Sequence, residues 1–191
     1  MSRCRLLPRI VVDPRLATVL LALAATLLPV ALVAAATSPL GFTLGQTTFA
    51  EVGRSVPRDK IKGIHRDPET GGPRIAINPA VFDFDGLKTV VLVFDADQHL
   101  VMVQLTIAKH RFRDVVDDLH AKYSVDRESI DNFMQNGAAI FRSGDDWVLF
   151  DAPHLSFSIS LNYITDELWH KTLRSIEEDE AKKRQQERGK L

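Results

Sequence analysis

Cysteine is almost missing from this chain. Cys4 is the only one in 191 residues, so no intrachain disulfide can form. It also stands ahead of the long apolar run rather than after it, where a lipoprotein anchor cysteine would be. Stability must then come from a buried core, and residues 37–191 are enough to build one. An excess of basic charge is lacking as well. The chain carries 24 Lys and Arg against 25 Asp and Glu; residues 1–36 hold four arginines and only Asp13, which leaves 20 against 24, a net of −4, for the remainder. Nucleic-acid binding needs a basic face, so that partner class is excluded. The chain has no Gly-x-Ser-x-Gly elbow, no His-Glu-x-x-His pair and no glycine-rich phosphate loop, which removes the commonest motif-bearing enzyme classes.

Charge is absent between Arg15 and Glu51, and within that gap Leu16 to Ala36 is almost wholly apolar. A soluble core does not need such a run; a membrane signal does. Arg3, Arg5, Arg9 and Arg15 all precede it, so the positive flank is expected to stay in the cytoplasm while the rest crosses. The run approaches the roughly 20 residues of a spanning helix. Pro29, however, divides it into Leu16–Leu28, the length of a signal-peptide core, and a tail ending Val33-Ala34-Ala35-Ala36, whose small residues resemble a signal-peptidase site before Thr37. Residues 1–36 are therefore read as a signal peptide or, if uncut, a signal anchor in the inner membrane, and 37–46 as a linker.

The densest strand-forming stretch beyond it is Val81–Ile107. Thr89 to Phe94 is apolar on both sides, as in an interior strand, and Asp95-Ala96-Asp97-Gln98-His99 is a turn. In the second arm Val101, Val103, Leu105 and Ile107 alternate with Leu100, Met102, Gln104 and Thr106, which predicts a hairpin with one core face. Before it come a short strand near Ile64, a turn cluster at Asp67–Pro73, and strand candidates Arg74–Ile77 and Val81–Phe84 broken by Asn78-Pro79. After it, Phe112, Val115, Val116, Leu119 and Tyr123 make an amphipathic helix of Lys109–Tyr123, and Ser124–Gly137 reads as polar with a helical turn. Ala138–Phe141 and Trp147–Asp151 form a second hairpin, and complete alternation over Leu155–Tyr163 turns Leu155, Phe157, Ile159, Leu161 and Tyr163 inward. From Asp166 a terminal helix uses Leu168, Trp169, Leu173 and Ile176; past Ile176 it is a charged tail with Glu178/Lys182, Asp179/Lys183 and Glu180/Arg184 in i,i+4 order. The order hints at a repeated unit of helix followed by strands.

Thr48-Phe49-Ala50-Glu51 matches the capping box that opens a helix, with Phe49, Val52 and Val56 as its apolar stripe. The surrounding stretch, Leu44-Gly45-Gln46-Thr47-Thr48-Phe49-Ala50-Glu51-Val52, resembles the Gly-x-Thr-x-x-Glu/Gln-Val opening of certain exported domains of Gram-negative bacteria. Among these are the small outer-membrane-assembly lipoproteins of the SmpA/OmlA type and the repeats of the β-lactamase inhibitor protein. The likeness covers this stretch alone, has one residue more between Gly45 and Val52 than those openings, and lacks the lipoprotein cysteine. It implies a small helix packed on an antiparallel sheet, in a binding or assembly protein rather than an enzyme.

Asp95-x-Asp97-x-His99 begins like a calcium loop, but Leu100 stands where glycine is needed and Thr106 where the bidentate glutamate is needed, so a polar turn is the better reading. His110, Asp114 and Asp117, with His120 nearby, have metal-ligand spacing on a helix, yet they lie opposite its apolar stripe, where charge is expected anyway. Asp151, His154 and Ser156 are triad residue types packed into six positions with no elbow. Trp147 and Trp169 are read as core anchors.

The expectation is a single α+β domain, residues 47–176, with an antiparallel sheet of about five to seven strands and helices packed on one face, preceded by an N-terminal hydrophobic helix. Its function is expected to be non-catalytic, with no cofactor and no metal. The chain is read as a periplasmic or envelope-tethered binding or assembly protein whose partner is an envelope protein, and the candidate surface is Ser156, Ser158, Ser160 and Asn162 on the polar face of the last strand. The alternative is a small exported enzyme or ligand-binding protein with a pocket between helix and sheet. A reporter fused after Leu191 is expected to be active only outside the cytoplasm, and amino-terminal sequencing of the product to begin near Thr37; cytoplasmic activity would reverse the topology.

Overall fold

The computed structural model describes residues 37–188. Residues 1–36, read from the sequence as a signal peptide or anchor, lie outside the described residues, and no helix among those described is long and apolar enough to cross a membrane. The fold is α+β: eight strands in one antiparallel sheet, and three helices. The strands are β1 (Ile61–Arg66), β2 (Gly71–Ile77), β3 (Leu87–Asp95), β4 (Leu100–Ala108), β5 (Ser124–Asp131), β6 (Asn136–Ser143), β7 (Asp146–Ala152) and β8 (Ser158–Ile164). The helices are α1 (Phe49–Ser55), α2 (Phe112–Lys122) and α3 (Asp166–Arg188). Strand order is β1-β2-β3-β4-β8-β7-β6-β5. Helix plus four strands thus occurs twice, and the two halves join where β4 meets β8. Pairs Val103↔Tyr163 and Ile107↔Ile159 flank Leu105↔Leu161 evenly, so the seam has an approximate two-fold at that leucine pair.

One face of the sheet holds the core. Val90, Leu92 and Phe94 face cross-strand neighbours Leu105, Val103 and Leu100; these continue through Leu161 and Tyr163 to Phe150 and Val148, then Ala139 and Phe141. All are buried. α1 and α2 close this face. α1 is opened by the expected capping box, in which Thr48 Oγ1 accepts from Glu51 N–H and the Glu51 carboxylate accepts from Thr48 N–H at 2.7 Å. Those hydrogen bonds hold the Glu51 carboxyl below its ordinary pKa. Its Val52 and the C-cap residue Val56 are buried, and Phe49 packs edge-on against Phe94. α2 buries Phe112, Val115, Val116 and Leu119, with Phe112 edge-on to Phe150.

Several expectations are corrected. The sheet has eight strands, beyond the expected five to seven, because Ser124–Asp131 is an edge strand and not a polar helical turn. An edge strand exposed on both faces has no apolar alternation to betray it. Residues 109–111 form a 3-10 turn ahead of α2. Val81–Phe84 is not a strand; Pro79–Val81 is a 3-10 turn after β2, and Phe82 and Phe84 lean on the core from it. In β4 the register slips between Val93↔Met102 and Phe94↔Leu100, so Val101 is a bulge residue: Leu100 turns into the core at 0 % exposure and Val101 does not. β8 begins at Ser158, and Leu155 and Phe157, expected inside, are 85 % and 87 % exposed. The stretch 37–46 is packed rather than a free linker, since Phe42 and Leu44 are buried. α3 lies on the opposite face from α1 and α2. It remains helical to Arg188, with its side chains exposed from Arg174 onward.

Gly72 is required where β2 starts beside β3, since a Cβ there would lie 2.0 Å from Asp95 O. The boundary of β8 can be checked by denaturant unfolding. Leu161→Ala is expected to lower stability by about 2–5 kcal/mol, and Phe157→Ala to change it by no more than about 0.5 kcal/mol. Equal losses would return Phe157 to the core.

Candidate partner surface

The face of the sheet opposite α1 and α2 is built in rows of cross-strand neighbours. The middle row runs Ile140, Leu149, Asn162, Gln104, Val91 and Ala76. The row beneath it runs Ala138, Asp151, Ser160, Thr106 and Thr89. The row above, Arg142, Trp147, Ile164, Met102 and Val93, is where α3 docks. Neutral polar groups therefore occupy the centre, flanked by apolar neighbours in the middle row and by Asp151 in the row beneath, with Arg74 and Lys88 donating into them. Thr89 Oγ1 donates to Thr106 Oγ1 at 2.6 Å, Arg74 Nη2 to Gln104 Oε1 at 2.6 Å and Asn162 Nδ2 to Ser160 Oγ at 3.3 Å. These bonds fix the rotamers of an open surface.

Ser158, Ser160 and Asn162 stand on this face as half-buried side chains, whereas Ser156 does not. It precedes the strand, and its Oγ donates to Ser158 O and accepts from Ser158 N–H, a local brace. Gln104, Thr106 and Thr89 belong to the same surface and escaped the sequence reading. Alternation along β4 had marked the first two as a second face; only the pairing of β4 with β8 brings them beside the serines.

Trp147 and Trp169 are not core anchors. Both are half-buried on the open face, with ring centroids 5.3 Å apart, and the Arg142 guanidinium lies 3.9 Å from the Trp147 centroid. Asp166 Oδ1, in the first turn of α3, accepts from Trp147 Nε1–H at 2.9 Å and from Arg142 Nη1 at 3.3 Å. The indole bond, helped by Arg142 and His170, holds the Asp166 carboxyl below its ordinary pKa. Thr165 Oγ1 accepts from Leu168 N–H, and Lys171 Nζ reaches Glu69 O at 2.9 Å across the β1–β2 turn. This cluster, together with the buried Leu168, attaches α3.

The remaining candidates disperse. His110 faces Asp85 at 3.5 Å, Arg111 bridges Asp85 and Asp114, and His120 contacts Glu128 at 3.0 Å. Asp95 Oδ1 accepts from His99 N–H within its turn. Among the described residues no three His, Cys, Asp or Glu side chains gather as a metal site would require. His154 Nδ1 lies 3.0 Å from Asn136 Nδ2, and Ser156 bonds only locally, so Asp151, His154 and Ser156 do not form a relay. That His154–Asn136 contact ties the β7–β8 loop to the start of β6 at one end of the sheet, where the β5–β6 and β7–β8 loops expose Phe133, Met134, Leu155 and Phe157. The second loop is braced, with Lys109 Nζ donating to Pro153 O and both Lys109 N–H and Lys88 Nζ donating to Phe157 O.

No protein-family model, curated protein or solved structure matches the chain.

Because the Asp166 pKa is lowered in the folded state, its contribution to α3 docking is present above the unfolded carboxylate pKa and lost as pH falls through the lower folded value. Trp emission is expected to hold down to about pH 4 and to shift below it. Asp166→Asn should show the undocked spectrum already at neutral pH and no acid step. A step of unchanged size in Asp166→Asn would assign it elsewhere, for instance to Asp146, whose carboxyl burial pushes up.

Proposed function

We propose that the chain is a non-catalytic binding or assembly protein of the bacterial envelope, exported or tethered by its N-terminal segment, which takes up a partner protein on the open face of its sheet. The observation that carries this reading is the centre of that face. Hydroxyls and amides of Thr89, Gln104, Thr106, Ser158, Ser160 and Asn162 are hydrogen-bonded in place beside Val91, Leu149 and Ile140. Neutral polar groups lose less on desolvation than charges do, and groups already held by their neighbours lose little rotamer freedom when covered. The braced Leu155 and Phe157, with Phe133 and Met134 beside them, supply large apolar side chains of the kind that anchor interfaces. The resemblance carried by Gly45–Val52 points the same way. In this chain that stretch leads into a short helix packed on an antiparallel sheet, within a unit that occurs twice.

The serines decide the matter. Ser158→Asp and Ser160→Asp are expected to fold with unchanged circular dichroism, because both side chains lie on the open face. Each should lose the partner that mild crosslinking in the native envelope, followed by mass spectrometry, joins to the wild-type chain. Folded variants that keep every crosslinked partner would remove this surface from the reading.

A further inference from the structure

On the buried face the two helices leave the seam uncovered. α1 packs toward β3 through Phe49 on Phe94, and α2 toward β7 through Phe112 on Phe150. Between them, Leu105 and Leu161, the leucine pair at the approximate two-fold, floor a cavity of about 240 Å3. Val115 and Leu119 of α2 form one wall, and Leu40 with Phe84 the other. Leu40 is held there at φ 53°, followed by Gly41 at φ 84°.

Apart from Asp118 and Lys122, the hydrogen-bonding side chains of the lining are the Ser38 hydroxyl, which accepts from Thr43 Oγ1, and the phenols of Tyr123 and Tyr163, whose rings meet edge to face 6.2 Å apart. Burial pushes both phenols up, so each stays protonated and offers an O–H. Among the described residues the charged side chains of the lining are Asp118 and Lys122, opposite in sign and both exposed at the mouth. An ionic head group would find no counter-ion within and would lose its hydration. A neutral oxygen would accept a phenol O–H in place of water. The volume sets the size: at about 30 Å3 for each water-sized group there is room for roughly eight heavy atoms, below the 300–1,000 Å3 or so of pockets for larger ligands.

We propose that this cavity binds a small neutral aliphatic molecule bearing one oxygen function, an alcohol or carbonyl compound of roughly eight heavy atoms. The site lies on the opposite face from the partner surface, so either reading can fail without the other.

The test uses the full chain in its native membrane, with a diazirine-bearing analogue of 1-heptanol as photoprobe and peptide mapping by mass spectrometry as readout. Saturable labelling of residues 112–122 and 158–164 is expected, with 1-heptanol competing at least about tenfold better than heptanoate, because the phenols offer a carboxylate no counter-ion and Lys122 at the mouth is offset by Asp118. Leu105→Phe, which fills the floor, should abolish the label. Tyr123→Phe, which keeps the shape, should weaken competition by about two- to tenfold, the loss of one neutral hydrogen bond. Should Leu105→Phe not fold, Tyr123→Phe and the heptanoate comparison still decide. Labelling that does not saturate, or lies only in residues 16–36, overturns the proposal. Equal competition by heptanoate, or an unchanged Tyr123→Phe, does the same.

Discussion

Seven consecutive cross-strand pairs, from Met102↔Ile164 to Ala108↔Ser158, join β4 to β8, and the rest of the molecule depends on that ladder. Every other ladder joins strands adjacent in sequence, which close over short connections or, at β2–β3, a short 3-10 segment. This one must bring together segments separated by α2 and three strands, at a loop-closure penalty that local hairpins do not meet. Its return is the merging of two small half-cores. Val103, Leu105 and Ile107 come to lie against Tyr163, Leu161 and Ile159, and one hydrophobic cluster then extends from Ile75 to Phe141. Four strands under a helix of seven or eleven residues would bury little alone.

The same ladder serves two surfaces. Alternation along β4 and β8 sends Leu105 and Leu161 toward α2 and the cavity, and sends Gln104, Thr106, Ser160 and Asn162 toward the open face. Strand spacing holds these sets about 10 Å or less from one another across a single layer of backbone, and the two are positioned by the same hydrogen bonds. α3 then caps one end of the open face through Trp147, Arg142, Asp166 and the buried Leu168, contacts that leave the centre exposed.

What could be read from the residues follows from what each element buries. The β3–β4 and β6–β7 hairpins, α2 and the capping box of α1 carry strong periodic or capping signals, and each appears where those signals lie. β5 was hidden because an edge strand with both faces in water needs no apolar residue. Leu155 and Phe157 misled for the opposite reason, since their alternation with Ser156 and Ser158 is that of a strand, although the chain there forms a braced loop with Leu155 at φ 61°. The bulge at Val101 reversed one assignment on β4 because periodicity cannot report an inserted residue. Of the proposed partner surface, the serines of β8 were legible and their neighbours on β3 and β4 were not, for adjacency across a seam is a property of topology. The cavity floor was legible only as core.

Placing the partner of β4 last among the strands also matters for how the chain comes into being. An N-to-C emerging polypeptide, whether leaving a ribosome or crossing a membrane, completes β1 to β4 while β8 is still to come. Until it arrives, the backbone N–H and C=O groups along one side of β4 stand unpaired, next to Val103, Leu105 and Ile107. Such an apolar, unprotected rim is a template for intermolecular strand addition. β5 and β1, the strands left at the rims of the finished sheet, are instead rich in charge, with Asp126, Arg127 and Glu128 on one and Lys62 and Arg66 on the other. The nascent chain is thus most prone to self-association midway through its emergence, and the mature one least.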